Sequence, residues 1–280
     1  MIALAEVLRR STEYLETHGS PTPRLDAELL LAHSLGLSRI ELYTQFERPL
    51  SEAELAGCRS LVLRRGRREP VAYVIGQWGF RGLMLDVDAR VLVPRPETEL
   101  LVDRCLALLE GIDQPAVLDV GTGSGAIALA IKDERPQARV TACDISLEAL
   151  EVARGNAERL GLEIELLESD LTSALADRRF DLIVSNPPYV SRAELETLEP
   201  EVAGFEPRLA LAAGEDGLDV YRKLLPQAAE RLVAGGWLAV ECGAGQALWL
   251  VAELERLGYV QPSVERDLAG IERVVWASWQ

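Results

Sequence analysis

Residues 116–125 read Ala-Val-Leu-Asp-Val-Gly-Thr-Gly-Ser-Gly. A short, almost wholly apolar run is a buried strand, and the glycines that follow at once force a tight turn into a helix from Ala126. Glycine after a strand lets backbone approach a ligand closely, and the next helix presents its positive N-terminus there. Further strands are expected at 138–143, 163–168, 180–185 and 236–241, with helices at 146–160, 217–234 and 246–257. Such alternation specifies a mostly parallel, doubly wound α/β sheet. The end of the chain differs. Tyr259–Glu265 and Ile271–Ala277 lie too close for a crossover helix and predict an antiparallel hairpin.

The first 75 residues follow another period. Leu4, Val7, Leu8 and Leu15 are helically spaced, Pro23 reads as a first-turn proline, and Gly36 as a helix stop. Ser38 with Glu41 and Ser51 with Glu54 have capping-box spacing, the second opening a helix that ends near Gly66. A small helical bundle is expected. Residues 78–87 then read as a β-hairpin with a glycine turn, and Pro94-Arg95-Pro96 as a rigid connector into a helix from Glu97 to Leu109. The boundaries are therefore a helical domain over 1–75, a hairpin linker over 76–93 and the α/β domain over 94–280. The arginines Arg64, Arg65, Arg67 and Arg68 are expected to form a solvated helix end, where cations suit the dipole.

Charge divides at the same place. Residues 1–77 carry 10 basic and 10 acidic side chains, and residues 78–280 carry 19 and 35, so the whole net charge of −16 sits on the second part. That weighs against a surface whose work is to neutralise phosphates, and nucleic acid is not expected as a partner. The four cysteines are far apart, which suits reduced structural thiols in a cytoplasmic protein. Both histidines, His18 and His33, lie in the first part. A zinc site or a Ser-His-Asp triad in the second part is thereby excluded, and no metal is expected. The acid Glu6 and the lack of a long apolar core argue against a signal peptide, and no run is long enough to span a membrane.

The glycine loop alone also fits a ligand-free βα turn, although Gly121, Gly123 and Ala126 satisfy a loose dinucleotide fingerprint. Asp144, at the tip of the next strand, can accept from ribose hydroxyls, while Ser146 competes for the helix N-cap. Asp170 follows the third strand, placed to accept from an adenine amino group with Leu171 against the ring. Together these positions mark an adenosine-containing cofactor. After the fourth strand stands Asn186-Pro187-Pro188-Tyr189. The Asn186 amide oxygen and the Pro187 carbonyl are two acceptors, the latter with its aim fixed by proline. Tyr189 offers a ring that can cover a planar group. This set suits a planar –NH2 group held by both hydrogens.

The glycine loop, the acid after the second strand and Asn-Pro-Pro-Tyr resemble the S-adenosylmethionine-dependent amino-methyltransferases. The stretches 93–99, 205–211, 214–218 and 241–243 make the chain similar, nearly end to end, to the release-factor glutamine methyltransferases, the HemK/PrmC family. The resemblance implies a Rossmann-like class I methyltransferase fold behind a helical substrate-recognition domain. It implies S-adenosyl-L-methionine as methyl donor, S-adenosyl-L-homocysteine as product and class-1 peptide release factors as protein substrate. The target is the glutamine of their Gly-Gly-Gln motif, methylated on its side-chain amide nitrogen. By matching motif, Gly121, Thr122, Gly123, Ser124, Gly125, Asp144, Leu171 and Asn186 contact the cofactor, and Asn186, Pro187, Pro188 and Tyr189 hold the glutamine. Leu171 stands where an aromatic residue is common in the family. The competing readings are a DNA adenine or cytosine amino-methyltransferase, which uses the same turn on a flipped base, an NAD-dependent dehydrogenase and a non-catalytic helical adaptor.

Overall fold

The computed structural model describes residues 2–280, which fall into two compact units. The first reaches Gln77 and includes Glu199–Phe205, and the second comprises Trp78–Leu198 and Glu206–Gln280.

The first unit is helical, with a two-residue ribbon that pairs β1 (Ile2–Ala3) with β2 (Pro49–Leu50). Helices α1 (Leu4–Thr17), α2 (Pro23–Leu35), α3 (Arg39–Thr44), α4 (Glu52–Gly66) and α5 (Val71–Ile75) pack around Leu4, Leu8, Leu15, Leu30, Leu31 and Leu42. Pro23 opens α2, Gly36 closes it in the left-handed conformation, and both capping boxes form.

The arginine cluster is not the solvated helix end that was expected. Arg65 is only 3% exposed. Its guanidinium donates to Asp26 over 2.6 Å and pairs with Glu201 over 2.8 Å. Arg68 also donates to Glu201, over 2.8 Å, and Arg64 to Glu69 over 2.9 Å. Arg67 alone of the four is exposed. The acids paired with Arg65 and Arg68, Asp26 and Glu201, lie 39 and over 130 residues away, outside any local pattern.

The hairpin of β3 (Gln77–Phe80), all but its first residue in the second unit, and β4 (Leu83–Asp86) turns through Arg81 and Gly82, both at positive φ, as a tight primed turn requires. Helix α6 (Pro96–Leu108) precedes a seven-stranded sheet. Its parallel strands are β5 (Ala116–Val120), β6 (Arg139–Asp144), β7 (Glu165–Glu168), β8 (Phe180–Ser185) and β9 (Leu232–Glu241). The terminal hairpin of β10 (Val260–Arg266) and β11 (Glu272–Ser278) completes the order β10-β11-β9-β8-β5-β6-β7, with β11 antiparallel to both neighbours. Between strands run α7 (Ala126–Glu134), α8 (Leu147–Leu160), the short α9 (Arg192–Leu195), α10 (Pro200–Phe205, in the first unit), α11 (Asp219–Ala229) and α12 (Ala247–Leu257). The order reverses beside β5, which pairs with β6 on one side and β8 on the other. In open α/β sheets that switch point leaves a crevice at the carboxyl ends.

One boundary departs from expectation. The helix expected over 217–234 ends at Ala229, and β9 starts at Leu232 rather than 236. Leu224, Ala228 and Leu232 have helical spacing, but Leu232 pairs with Phe180 in the sheet. Gly235, at positive φ, and Gly236, where a Cβ would lie 3.1 Å from the Phe180 carbonyl, let the strand bend after that pairing.

Arg65 sits in a buried ion-pair network, and removing one partner of such a pair strands the others. Arg65→Ala should therefore lower the unfolding free energy of the helical unit by about 3–5 kcal/mol. Chemical denaturation of the full chain followed by a probe in the helical unit checks this, and an unchanged midpoint would reject it.

Candidate active site

Three loops converge at the carboxyl edge because three adjacent parallel strands end together. Val120 at the tip of β5 is in register with Cys143 of β6 and Ser185 of β8. Ser185 Oγ donates to the Val120 carbonyl over 2.7 Å, and the Gly121 and Thr122 amides both donate to the Cys143 carbonyl. Residues at these tips line one cavity of about 310 Å3: Gly121–Ser124 after β5, Asp144 at the end of β6 and Asn186 after β8. Ala89–Leu92, Arg95 and Thr98 line it from the chain before β5, and Pro207–Ala210 from the chain before α11.

The glycine loop is shaped for a ligand. Gly121, Gly123 and Gly125 all have positive φ, and a Cβ on Gly121 or Gly123 would meet nothing within 4 Å. Space thus lies beside the backbone where side chains would fill it. Beneath the loop, Asp119 is wholly buried. Its Oδ2 accepts from Thr122 Oγ1 over 2.7 Å and from the Ala128 amide over 3.2 Å, whereas Oδ1 has no hydrogen-bond partner. Burial pushes this carboxyl up to about 7. Oδ1 is thus an unused acceptor directly beneath the glycine loop. Asp144 accepts from the Gly123 amide and the Ser146 amide, both over 2.9 Å. Carboxylate oxygens keep further lone pairs for hydroxyl donors. Ser146 takes the N-cap of α8, so Asp144 is free of that role. Asn156, fully buried on α8, donates to the Ser124 carbonyl over 2.9 Å and pairs with the backbone of Asp86, tying the loop to β4. The open backbone of the glycine loop and the free lone pairs of Asp144 fit the ribose of an adenosine-based cofactor.

Other anticipated residues are placed differently. Asp170 is exposed, Leu171 packs with the sheet core at positive φ, and neither lines the cavity. Of the Asn-Pro-Pro-Tyr turn, only Asn186 lines it. Tyr189 packs against the core, its carbonyl accepting from Gln246 Nε2 over 2.9 Å. A Cβ on Gly217 would lie 2.4 Å from the Tyr189 carbonyl and one on Gly243 3.1 Å from its ring, so these glycines make room for the turn. Burial raises the Tyr189 phenol above its ordinary value.

Several site residues escaped local reading. Asp119 looked like one polar residue in a buried strand. Glu206, buried, accepts both Arg95 contacts at 2.7 Å and anchors the Pro207–Ala210 wall. Thr98 and Glu241 meet at 2.6 Å although 143 residues apart. The only signal for them was that each falls in a stretch that carries the family resemblance. Among the described residues no group of side chains could hold a metal ion, and no helix is long and apolar enough to cross a membrane.

The parallel sheet, its antiparallel last hairpin and a glycine loop that shares one cavity with Asn186 at the switch point define a class I methyltransferase. Solved structures share the fold. The Thermus thermophilus 16S rRNA N2 G1207 methyltransferase, solved with AdoMet and guanosine, is 23% identical, with TM-score 0.54 over 73% of this chain and 50% of that one. The hMettl16 catalytic domain, in complex with a MAT2A 3′UTR hairpin, is 17% identical, with TM-score 0.58 over 82% and 83%. A PrmC N-terminal domain matches residues 6–76, and a methyltransferase small domain matches residues 97–200. Release factor glutamine methyltransferases of Geobacter sulfurreducens, Rhodopirellula baltica and Deinococcus radiodurans are 46%, 45% and 45% identical. They cover 97%, 96% and 98% of this chain and 95%, 94% and 98% of their own. The chain belongs to the release factor glutamine methyltransferase family.

Asp119 gives a test that needs no ligand. Its pKa is raised from 3.8 to about 7 on folding. The native state therefore holds a proton that the unfolded state releases between those values. The stability Asp119 contributes is fully present below the unfolded value and is lost as pH rises through the folded one. Relative to Asp119→Asn, the wild type should be less stable at about pH 8 than at about pH 4. Urea denaturation of both proteins at the two pH values measures this; a pH-independent difference would count against it.

Proposed function

We propose that this protein transfers a methyl group from S-adenosylmethionine to the side-chain amide nitrogen of the glutamine in the Gly-Gly-Gln motif of class-1 peptide release factors, giving N5-methylglutamine. The observation that carries the reading is one cavity lined by the glycine loop, Asp144 and Asn186, in a chain of this family. The loop 121–125 and Asp144 hold the cofactor, with the ribose on Asp144. Asp170 and Leu171, which follow β7 beside Asp144, take the adenine end. Asn186, Pro187, Pro188 and Tyr189 hold the glutamine. The helical domain, residues 1–75, is the substrate-recognition part, joined by the hairpin linker 76–93 to the methyltransferase domain 94–280.

When bound, the cofactor supplies an electrophilic methyl group on a sulfonium. The protein's task is the nucleophile, since an amide nitrogen shares its lone pair with its carbonyl. The Asn186 oxygen and the Pro187 carbonyl accept the two N–H bonds and turn the lone pair towards the methyl carbon. This orients the nitrogen and stabilises positive charge as it develops there. Held by the glycine loop 121–125 and Asp144, the cofactor would present the methyl carbon to this nitrogen and keep the C–S bonding pair on its sulfur. The nitrogen then releases one proton. Flanking glycines in the substrate let the glutamine enter a narrow cleft without side-chain clashes, and an acidic catalytic domain suits a protein loop better than a phosphate backbone.

Incubation with S-adenosylmethionine and a release factor should add one methyl mass to the Gly-Gly-Gln glutamine. Replacing that glutamine should abolish the gain, and duplex DNA should gain nothing. Labelled DNA beside an unmodified release factor would favour the nucleic-acid reading instead.

Asp144→Ala should weaken S-adenosylmethionine binding by about 1.5–3 kcal/mol, the worth of hydrogen bonds to a charged acceptor. Calorimetric titration reads this directly, and unchanged affinity would remove Asp144 from the ribose site.

A further inference from the structure

Behind Asn186 lies a buried chain of hydrogen bonds that the transfer step leaves unassigned. Asn186 Nδ2 donates to Thr98 Oγ1 over 3.1 Å, and Thr98 Oγ1 donates to Glu241 Oε2 over 2.6 Å. Tyr189 Oη donates to the other carboxylate oxygen over 3.4 Å. Thr98 and Glu241 are only 4% and 1% exposed. A side-chain amide has a donor end and an acceptor end of nearly one shape, and a hydroxyl can serve either. Thr98 alone could therefore hold Asn186 in two opposite senses. The carboxylate removes the choice. It only accepts, so it takes the single hydroxyl hydrogen, and Thr98 is left with lone pairs for Asn186 Nδ2.

We propose that Thr98 and Glu241 are positioning residues that fix the sense of the Asn186 amide, so that its oxygen and not its NH2 faces the substrate amide. The inference rests on the glutamine-methylation reading above. In the inverted sense Asn186 would present N–H groups to the N–H groups of the substrate, and the nitrogen would lose one of its two acceptors. The element tips converge for this purpose: Thr98 stands in the first turn of α6, Glu241 at the end of β9 and Asn186 just past β8. Tyr221 on α11 fixes the Glu241 backbone by donating to its carbonyl over 2.7 Å.

The arrangement also makes the sense depend on ionisation. A protonated Glu241 could donate to Thr98, whose own hydrogen would then be free for the oxygen of an inverted Asn186. The groups facing Glu241 are Glu97 on α6, Tyr189 after β8, Tyr221 on α11, Arg273 on β11 and its neighbour Cys242. Burial outweighs the help of Thr98 and Arg273 and lifts the carboxyl to about 7.

The test uses the full chain with Thr98→Val, Thr98→Ser and Glu241→Gln. Thr98→Val should lower kcat for release-factor methylation by about a hundredfold, the scale of a misplaced reacting group. S-adenosylmethionine affinity by calorimetry and KM for the release factor should hold. Thr98→Ser, which restores the hydroxyl, should restore kcat. Wild-type kcat should fall about tenfold for each pH unit below about 7, and Glu241→Gln, which cannot titrate, should flatten that limb. The side-chain NH2 signals of Asn186 in the NMR spectrum should shift over the same pH range in the wild type and not in Glu241→Gln. If the wild type methylates the factor and Thr98→Val matches its kcat, the positioning role is overturned while the methylation reading stands. Failure of Thr98→Ser to restore kcat, or Asn186 signals that ignore pH, overturns it as well. A wild type that binds S-adenosylmethionine yet leaves the factor unmodified overturns the reading and the positioning role with it.

Discussion

The pairing of β5 with β6 on one side and β8 on the other is the constraint on which the catalytic edge depends. Parallel strands in register deliver their carboxyl ends to one line, and here Val120, Cys143 and Ser185 define it. Each strand then gives way to residues that stop it: glycine after β5, Ile145 and the N-capping Ser146 after Asp144 ends β6, and Asn186 before two prolines after β8. The sheet is buried on both faces at these positions, with Leu118, Val120, Cys143, Ile183 and Val184 all but inaccessible. A one-residue slip would exchange the faces of every side chain. The distances among the three loops are thus set by backbone hydrogen bonding and core packing, and the polar residues of the site inherit their spacing.

Polar groups buried at that edge carry the remaining specification. Asp119 lies under the glycine loop, Asn156 behind Ser124, and Glu241 behind Thr98 and Asn186. Each would be costly without partners, because a buried carboxylate or amide loses its hydration. Asn156 finds partners for both ends of its amide. Asp119 is one oxygen short. The difference separates a group fully satisfied within the protein from one that keeps an unused acceptor under the loop.

How much of this was legible in the sequence follows from the range of each interaction. That the glycine loop, Asp144 and Asn186 come together around one cavity was legible because their signal is local: a residue type at or just after the end of an apolar run. The capping boxes at Ser38 and Ser51 were legible for the same reason, since three residues suffice to form them. Arg65 was not. Its local setting, a run of arginines at a helix end, is that of a solvated surface, and only Asp26 and Glu201, brought in by tertiary packing, make it a core residue. Leu232 misled in the opposite direction, since its helical spacing from Ala228 is real but its partner is Phe180 in the sheet. Thr98 and Glu241 carry no local signature, being a threonine in the first turn of a helix and an acid at a strand end.

The substrate amide and the Asn186 amide pose the same physical problem. Both are planar, nearly symmetric in shape and opposite in hydrogen-bond polarity at their two ends. Shape alone cannot orient either. Recognition of an NH2 group by both hydrogens demands acceptors of fixed direction. A backbone carbonyl such as that of Pro187 cannot invert. Asn186 can invert, so its polarity has to come from a group that accepts and cannot donate. A carboxylate meets that requirement only while ionised, and deep burial opposes ionisation. Arg273 and the hydroxyls of Thr98 and Tyr189 work against that cost at Glu241. The hydrogen bonds from Asn186 to Thr98 and from Thr98 to Glu241 thus link a neutral amide to a buried carboxyl one hydroxyl away.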